Sequence, residues 1–277
     1  MPRKSTPLPA DAPLFRRRLL HWFRRHGRDL PWRRTRDPYH VLVSEIMLQQ
    51  TQVARVESFY DRFLARWPSI HDLAAAEPSE VRESWEGLGY YRRAANLHRL
   101  AREVVAERGG FLPDDPAELR RLRGIGRYTA GAVASFAFER ATPAVDTNVA
   151  RVIRRAFHPR ARPAGLEGRL WETAGHLVPR RGASAWAFNQ AIMELGAVIC
   201  TARVARCGVC PVRAACRTGR TATDILPAPR ARPPRARSAP APRRSTPRAD
   251  AAAGARRNTP PSSPPDRAGR VSRRSER

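Results

Sequence analysis

Leu122-Arg123-Gly124-Ile125-Gly126-Arg127-Tyr128-Thr129-Ala130 joins two apolar helical segments through two glycines one residue apart. Glycine lacks Cβ, so it supplies the positive φ and the close backbone approach that a tight interhelical turn requires. The first amides of the helix that follows have no intrahelical acceptor, and they face outward where a phosphate can take them. Gly124, Gly126 and Arg127 are therefore candidate contacts to a nucleic-acid backbone. An ordinary helix–helix turn uses the same glycines, so the surroundings must decide.

Outward from this turn, apolar positions recur at helical spacing from Pro13 to Cys216, and no stretch alternates as a strand does. The spacing predicts helices over Leu14–Phe23 (ended by Gly27), one or two over Val41–Tyr60, then Pro78–Leu88, Tyr91–Glu107 and Pro116–Leu122. Tyr128–Phe138, Thr147–Phe157, Leu166–Val178 and Ala185–Cys200 complete the set. About ten short helices in about 200 residues make an all-α body with a real core, expected in two lobes with a cleft between them. Trp67, Trp85, Trp171 and Trp186 are expected in that core.

The chain has 277 residues and a net charge of +27, with 52 basic against 25 acidic side chains. Residues 217–277 hold 16 Arg and 4 acidic residues, so +15 remains on the first 216. A basic body with a basic tail fits a polyanionic partner. No span is long or apolar enough to cross a membrane. From Arg217 onward there are 11 Pro, no aromatics and few large aliphatics, so residues 222–277 are expected to be disordered. Residues 1–12 are expected to be flexible.

All four cysteines fall within 17 residues, as Cys200-x6-Cys207-x2-Cys210-x5-Cys216. Four thiolates this close, on a loop bent by Gly208 and Pro211, can wrap one metal centre. A four-iron–four-sulfur (4Fe-4S) cluster is the leading reading. Structural zinc and two disulfides are the alternatives. Zinc ribbons usually bring two Cys-x2-Cys pairs, and disulfides need an oxidising compartment, whereas Arg16, Arg17 and Arg18 interrupt the first apolar run.

This cysteine spacing, 74 residues after Gly126, resembles the cluster loop of the endonuclease III superfamily of DNA glycosylases, and the glycine turn resembles its helix–hairpin–helix. In that superfamily the cluster shapes a loop that presents basic side chains to DNA, a role that Arg203, Arg206 and Arg213 are placed to fill here. Pro143-Ala144-Val145-Asp146-Thr147-Asn148 resembles the catalytic aspartate segment. Bifunctional glycosylase-lyases carry lysine where this chain has Tyr128, and Lys4 is its one lysine. A phenol forms no imine and arginine is no nucleophile, so base removal without Schiff-base strand cleavage is expected.

Ser44-Glu45-Ile46-Met47-Leu48-Gln49-Gln50-Thr51-Gln52-Val53 resembles the catalytic segment of the A/G-specific adenine DNA glycosylases. Leu30-Pro31-Trp32, Gly87-Leu88-Gly89-Tyr90-Tyr91 and Asn189-Gln190-Ala191 extend the resemblance across roughly residues 14–216. It implies a monomeric enzyme of the bacterial cytoplasm and nucleoid that acts on double-stranded DNA containing a mispaired adenine. Adenine leaves poorly until N7 is protonated, so Glu45 is the expected acid, with Asp146 the expected anion beside the oxocarbenium-like sugar. The resemblance places Tyr128 at Glu45 or the sugar, Asn148 at Asp146 or the catalytic water, and Gln49 and Tyr90 in the duplex beside the orphaned base. It places Trp32, Arg33, Leu48 and Gln190 around the adenine. Many relatives add a folded C-terminal domain that reads 8-oxoguanine, where this chain becomes Arg/Pro-rich. Recognition of 8-oxoguanine is thus expected to come from Gln49, Tyr90 and the body or to be weak, with a preference for guanine opposite adenine or a relaxed one. A mismatch thymine or uracil glycosylase of the same fold and a noncatalytic DNA-binding module are the competing readings.

Overall fold

The computed structural model describes residues 9–222. The segment expected to be disordered lies outside these residues apart from Ala222, as do residues 1–8 of the expected flexible start. Among the described residues the body is all-α, and its one β-feature is an isolated bridge between Cys200 and Ala205.

Among the described residues twelve α-helices follow in order: α1 Ala12–His26, α2 Pro38–Leu48, α3 Val53–Arg66, α4 Ile70–Ala75, α5 Pro78–Ser84 and α6 Arg92–Arg108. Then come α7 Pro116–Leu119, α8 Arg127–Phe136, α9 Thr147–Phe157, α10 Leu166–Leu177, α11 Gly182–Val198 and α12 Arg217–Thr221. The Val41–Tyr60 run breaks into α2 and α3 at Gln49–Gln52, where the chain leaves helical geometry. Asp37 caps α2 by accepting from the amides of Tyr39 and His40 at 2.8 and 3.0 Å, with Pro38 at the first helical position. Periodicity did not reveal α4, which is too short to show a repeat. A Ser69–Asp72 capping box starts it, and that signal is visible in the sequence.

Two hydrophobic cores form. One gathers α2–α8 around Leu42, Phe63, Trp85, Leu97 and Val133. The other packs α1 against α9–α11 and the cysteine loop, around Phe15, Leu19, Ile153, Phe188 and Val212. The chain thus crosses from the second core to the first after α1 and returns at Val145. Trp67, Trp85 and Trp171 are buried, whereas Trp186 is half-buried with the Arg36 guanidinium 4.3 Å from its ring. Each buried leucine or phenylalanine contributes about 1.5–3 kcal/mol relative to exposure, which is why short helices with modest caps hold their places.

In the hairpin, Gly124 adopts φ +79°, a left-handed backbone that a side chain would strain. Gly126 does not: its φ is −84° and nothing lies within 4 Å of where its Cβ would stand. The expectation that both glycines serve the turn is therefore corrected. Gly124 makes the turn, and Gly126 leaves open space over the uncapped start of α8. No helix among the described residues is long and apolar enough to cross a membrane.

Candidate active site

Both cores contribute to one cleft of about 720 Å³. Glu45 comes from α2, Tyr128 from the first turn of α8, Asp146 from the start of α9 and Gln190 from α11. Trp32, Arg33, Leu48, Gln49 and Asn148 also line it. Helices from opposite sides thus bring two carboxylates, 101 positions apart in sequence, to one opening.

Glu45 is 4% exposed and accepts a 2.6 Å hydrogen bond from the Tyr128 hydroxyl. Burial is the main reason its pKa is raised to about 7; the Asp146 charge adds to the rise, while the Tyr128 hydrogen bond and Arg33 oppose it. Burial likewise pushes the Tyr128 phenol well up, so it remains a donor.

Asp146 is the N-cap of α9 and faces the cleft at the same time. It accepts from Val149 N at 2.7 Å and from Asn148 Nδ2 at 2.8 Å. Burial raises its pKa above the usual aspartate value, and these bonds to the anion pull in the other direction. Asn148 therefore serves Asp146 directly. Its own Oδ1 accepts from Arg151 Nη2 at 2.7 Å, and Arg151 Nε donates to Cys200 O at 2.8 Å, so the carboxylate is braced against the start of the cysteine loop.

A further charged group lines the same cleft. Glu194 on α11 accepts from Arg28 Nε at 2.6 Å and from Arg33 Nη2 at 2.8 Å. Burial opposes its charge, but the bonds from Arg28 and Arg33 outweigh that and hold its carboxyl below the usual range. Arg33 Nε also donates to Gln190 Oε1 at 2.8 Å. An arginine can only donate, so the carbonyl of Gln190 points to Arg33 and its amide NH2 is the group left over. The second lone pair of that carbonyl remains for a further donor.

Tyr90 does not line the cleft; it stands nearby, 59% exposed, with φ +51°. The Arg127 guanidinium lies 3.9 Å from the centre of the ring of Trp171, a cleft-lining residue. Arg203, Arg206 and Arg213 are all exposed, and Arg213 also donates to the carbonyls of Gly219 at 3.2 Å and Ala222 at 3.4 Å. Cys200, Cys207, Cys210 and Cys216 line one small apolar cavity, and none forms a disulfide. Arg155 Nη1 donates to Cys200 Sγ at 3.3 Å and Gly219 N to Cys216 Sγ at 3.2 Å. Among the described residues no three His, Cys, Asp or Glu side chains are arranged to hold a single metal ion.

Sequence reading missed Arg28, Glu194, Arg93 and Arg151. Glu194 was within reach, because it lies one helical turn from Gln190 on the same face.

A family model described as HhH-GPD superfamily base excision DNA repair protein matches residues 43–174. An adenine DNA glycosylase of Rattus norvegicus is 47% identical over 220 residues, covering 75% of this chain and 42% of that one. One of Mycolicibacterium smegmatis is 47% identical over 195 residues, covering 70% of this chain and 66% of that one. The chain thus spans under half the length of the rat relative. Among solved structures, a thermostable thymine-DNA glycosylase superposes with TM-score 0.71 at 32% identity, over 76% of this chain and 98% of that one. A trapped endonuclease III–DNA covalent intermediate gives TM-score 0.64 at 25% identity, over 77% of this chain and 98% of that one. A shared fold and a relative above 30% identity matched over nearly its full length lead to one conclusion: this chain belongs to the HhH-GPD superfamily of base excision DNA repair proteins.

Proposed function

We propose that the protein is a monofunctional adenine DNA glycosylase, a monomer working on chromosomal DNA, that hydrolyses the N-glycosidic bond of adenine mispaired with guanine or 8-oxoguanine. One observation carries this reading: a buried carboxyl with pKa about 7, held by a phenol, shares a cleft with a second carboxylate anchored at a helix start. The names of the rat and mycobacterial relatives support the choice of base.

The chemistry follows from the two environments. An adenine turned out of the duplex costs a few kcal/mol of unstacking and enters the cleft. Protonated Glu45 gives its proton to N7, the C1′–N9 bond breaks toward the base, and positive charge develops on the sugar. Ionised Asp146 faces that charge. Water then adds at C1′, and its proton passes to a carboxylate of the pair. General acid catalysis of this kind contributes about 10²–10⁴-fold. The NH2 of Gln190, oriented by Arg33, is available to an acceptor nitrogen of the base. Tyr128 cannot attack the sugar as an amine does, and the chain's one lysine, Lys4, lies outside the described residues.

The same reading places a 4Fe-4S cluster on Cys200, Cys207, Cys210 and Cys216. The fit rests on four thiols around one cavity and on N–H groups from Arg155 and Gly219 directed at two of the sulfurs. Structural zinc is the alternative on the same thiols, but zinc ribbons usually bring two Cys-x2-Cys pairs where this loop has one. When bound, the cluster supplies a rigid cross-link for the loop; the residues in the cleft do the chemistry.

A second reading, mismatch thymine excision, is favoured by the superposition on a thymine-DNA glycosylase. Single-turnover assays on A:8-oxoguanine, A:G, T:G and U:G duplexes, followed by alkali, separate the two. Alkali-dependent breaks at adenine are expected. Breaks confined to T:G and U:G, or cleavage without alkali trapped by borohydride, would overturn the proposal.

A further inference from the structure

Arg93, second residue of α6, is 8% exposed, yet its hydrogen-bond partners include no carboxylate. Its Nη1 donates to the carbonyls of Ile46 at 3.0 Å, Met47 at 2.7 Å and Gln49. Its Nη2 donates to Thr51 Oγ1 and Gly89 O, both at 3.0 Å. The guanidinium lies 5.3 Å from the centre of the Tyr90 ring and 5.7 Å from that of Trp85, while Nε is buried without a partner. A buried cation without an acid is costly, and the negative end of α2 offsets only part of that cost.

What this arrangement achieves is a join between two segments far apart in sequence. The carbonyls it caps end the helix that carries Glu45, and Gly89 belongs to the loop that presents Tyr90. Among the described residues three non-glycine residues have left-handed backbone, and two of them, Gln50 at φ +56° and Tyr90 at φ +51°, flank this guanidinium. Such strain persists only where surroundings impose it. The Arg55 guanidinium adds a further tie to the same loop at Gly87 O. An exposed aromatic held in strained geometry beside the mouth of the cleft, and fastened to a cleft-lining glutamine, is built to push into something. A fork of donors is also what lysine cannot replace.

We propose that Arg93 is a positioning residue that locks the Gln49 turn and the Tyr90 loop into one rigid wedge, set in register with Glu45. The wedge enters the duplex as the base leaves it, so the proposal rests on the base-extruding reading of the cleft. Single-turnover excision from an A:G duplex by the full chain tests it, with Arg93→Lys introduced into wild type and into a Gln49→Ala/Tyr90→Ala background. Arg93→Lys is expected to slow wild type about tenfold, equivalent to about 1.4 kcal/mol, and the wedge-less background less than about twofold. An equal cost in both backgrounds, or none in wild type, overturns the proposal. If Arg93→Lys fails to fold by circular dichroism, Thr51→Val removes one bond of the set and runs through the same cycle under the same criteria.

If wild type releases no adenine, the excision reading fails by itself. The clamp is then judged by 2-aminopurine fluorescence beside the mispair: a rise on binding wild type that Arg93→Lys loses supports it, and an undiminished rise overturns it.

Discussion

In the proposed reaction Glu45 and Asp146 carry opposite tasks, and their surroundings set the pH at which both can be performed. Excision needs Glu45 protonated, so its rate falls as pH rises through about 7. It also needs Asp146 ionised, so it falls again in acid, at a pH above that of an ordinary aspartate because burial raises Asp146. A bell-shaped single-turnover profile is the expected outcome. Tyr128→Phe removes a bond that favours the Glu45 anion, so the alkaline limb should move to higher pH; a limb that stays put would show that another group sets it. Glu45→Gln should lose at least about 100-fold in rate while anisotropy still reports DNA binding. These two carboxylates were legible in the sequence because each sits in a motif. The commitment of the Gln190 carbonyl to Arg33 was not, since it depends on an arginine 157 positions away choosing that oxygen.

Between elements, the decisive contact is the approach of α11 to the start of α9. A Cβ on Gly196 would lie 2.7 Å from Asn148 Cβ and 3.1 Å from Asn148 O. Gly196→Ala must therefore push α11 away from the residue that holds Asp146. About 1–3 kcal/mol of stability should be lost in urea unfolding, together with excision rate, whereas Gly168→Ala, with open space around it, should leave rate unchanged. Helical periodicity located most of the helices, since each long one buries a continuous stripe. It did not show where the Val41–Tyr60 run would break, because the break is held by Arg93 from another helix. Nor did it show that Gly126 answers to open space and not to backbone strain. In both cases a tertiary partner, invisible to local pattern, makes the choice.

For the molecule as a whole, the proposed function leaves encounter to charge and chemistry to the cleft. Residues 223–277 carry 14 Arg and 4 acidic residues, so deleting them should flatten the dependence of log K for undamaged DNA on log salt concentration. Excision at saturating enzyme should not change, because every group in the cleft lies between Arg28 and Ala197. A matching loss of rate would show that the tail does more than attract. The chain's route through its two cores also bears on its synthesis. The buried residues of the first core come from residues 30–144, but α1 packs its buried face mainly against α9–α11 and the cysteine loop. During translation α1 must wait, its apolar stripe uncovered, until some two hundred residues have emerged from the ribosome. A product released before residue 146 holds Glu45 without Asp146, and so lacks the pair that the proposed chemistry needs.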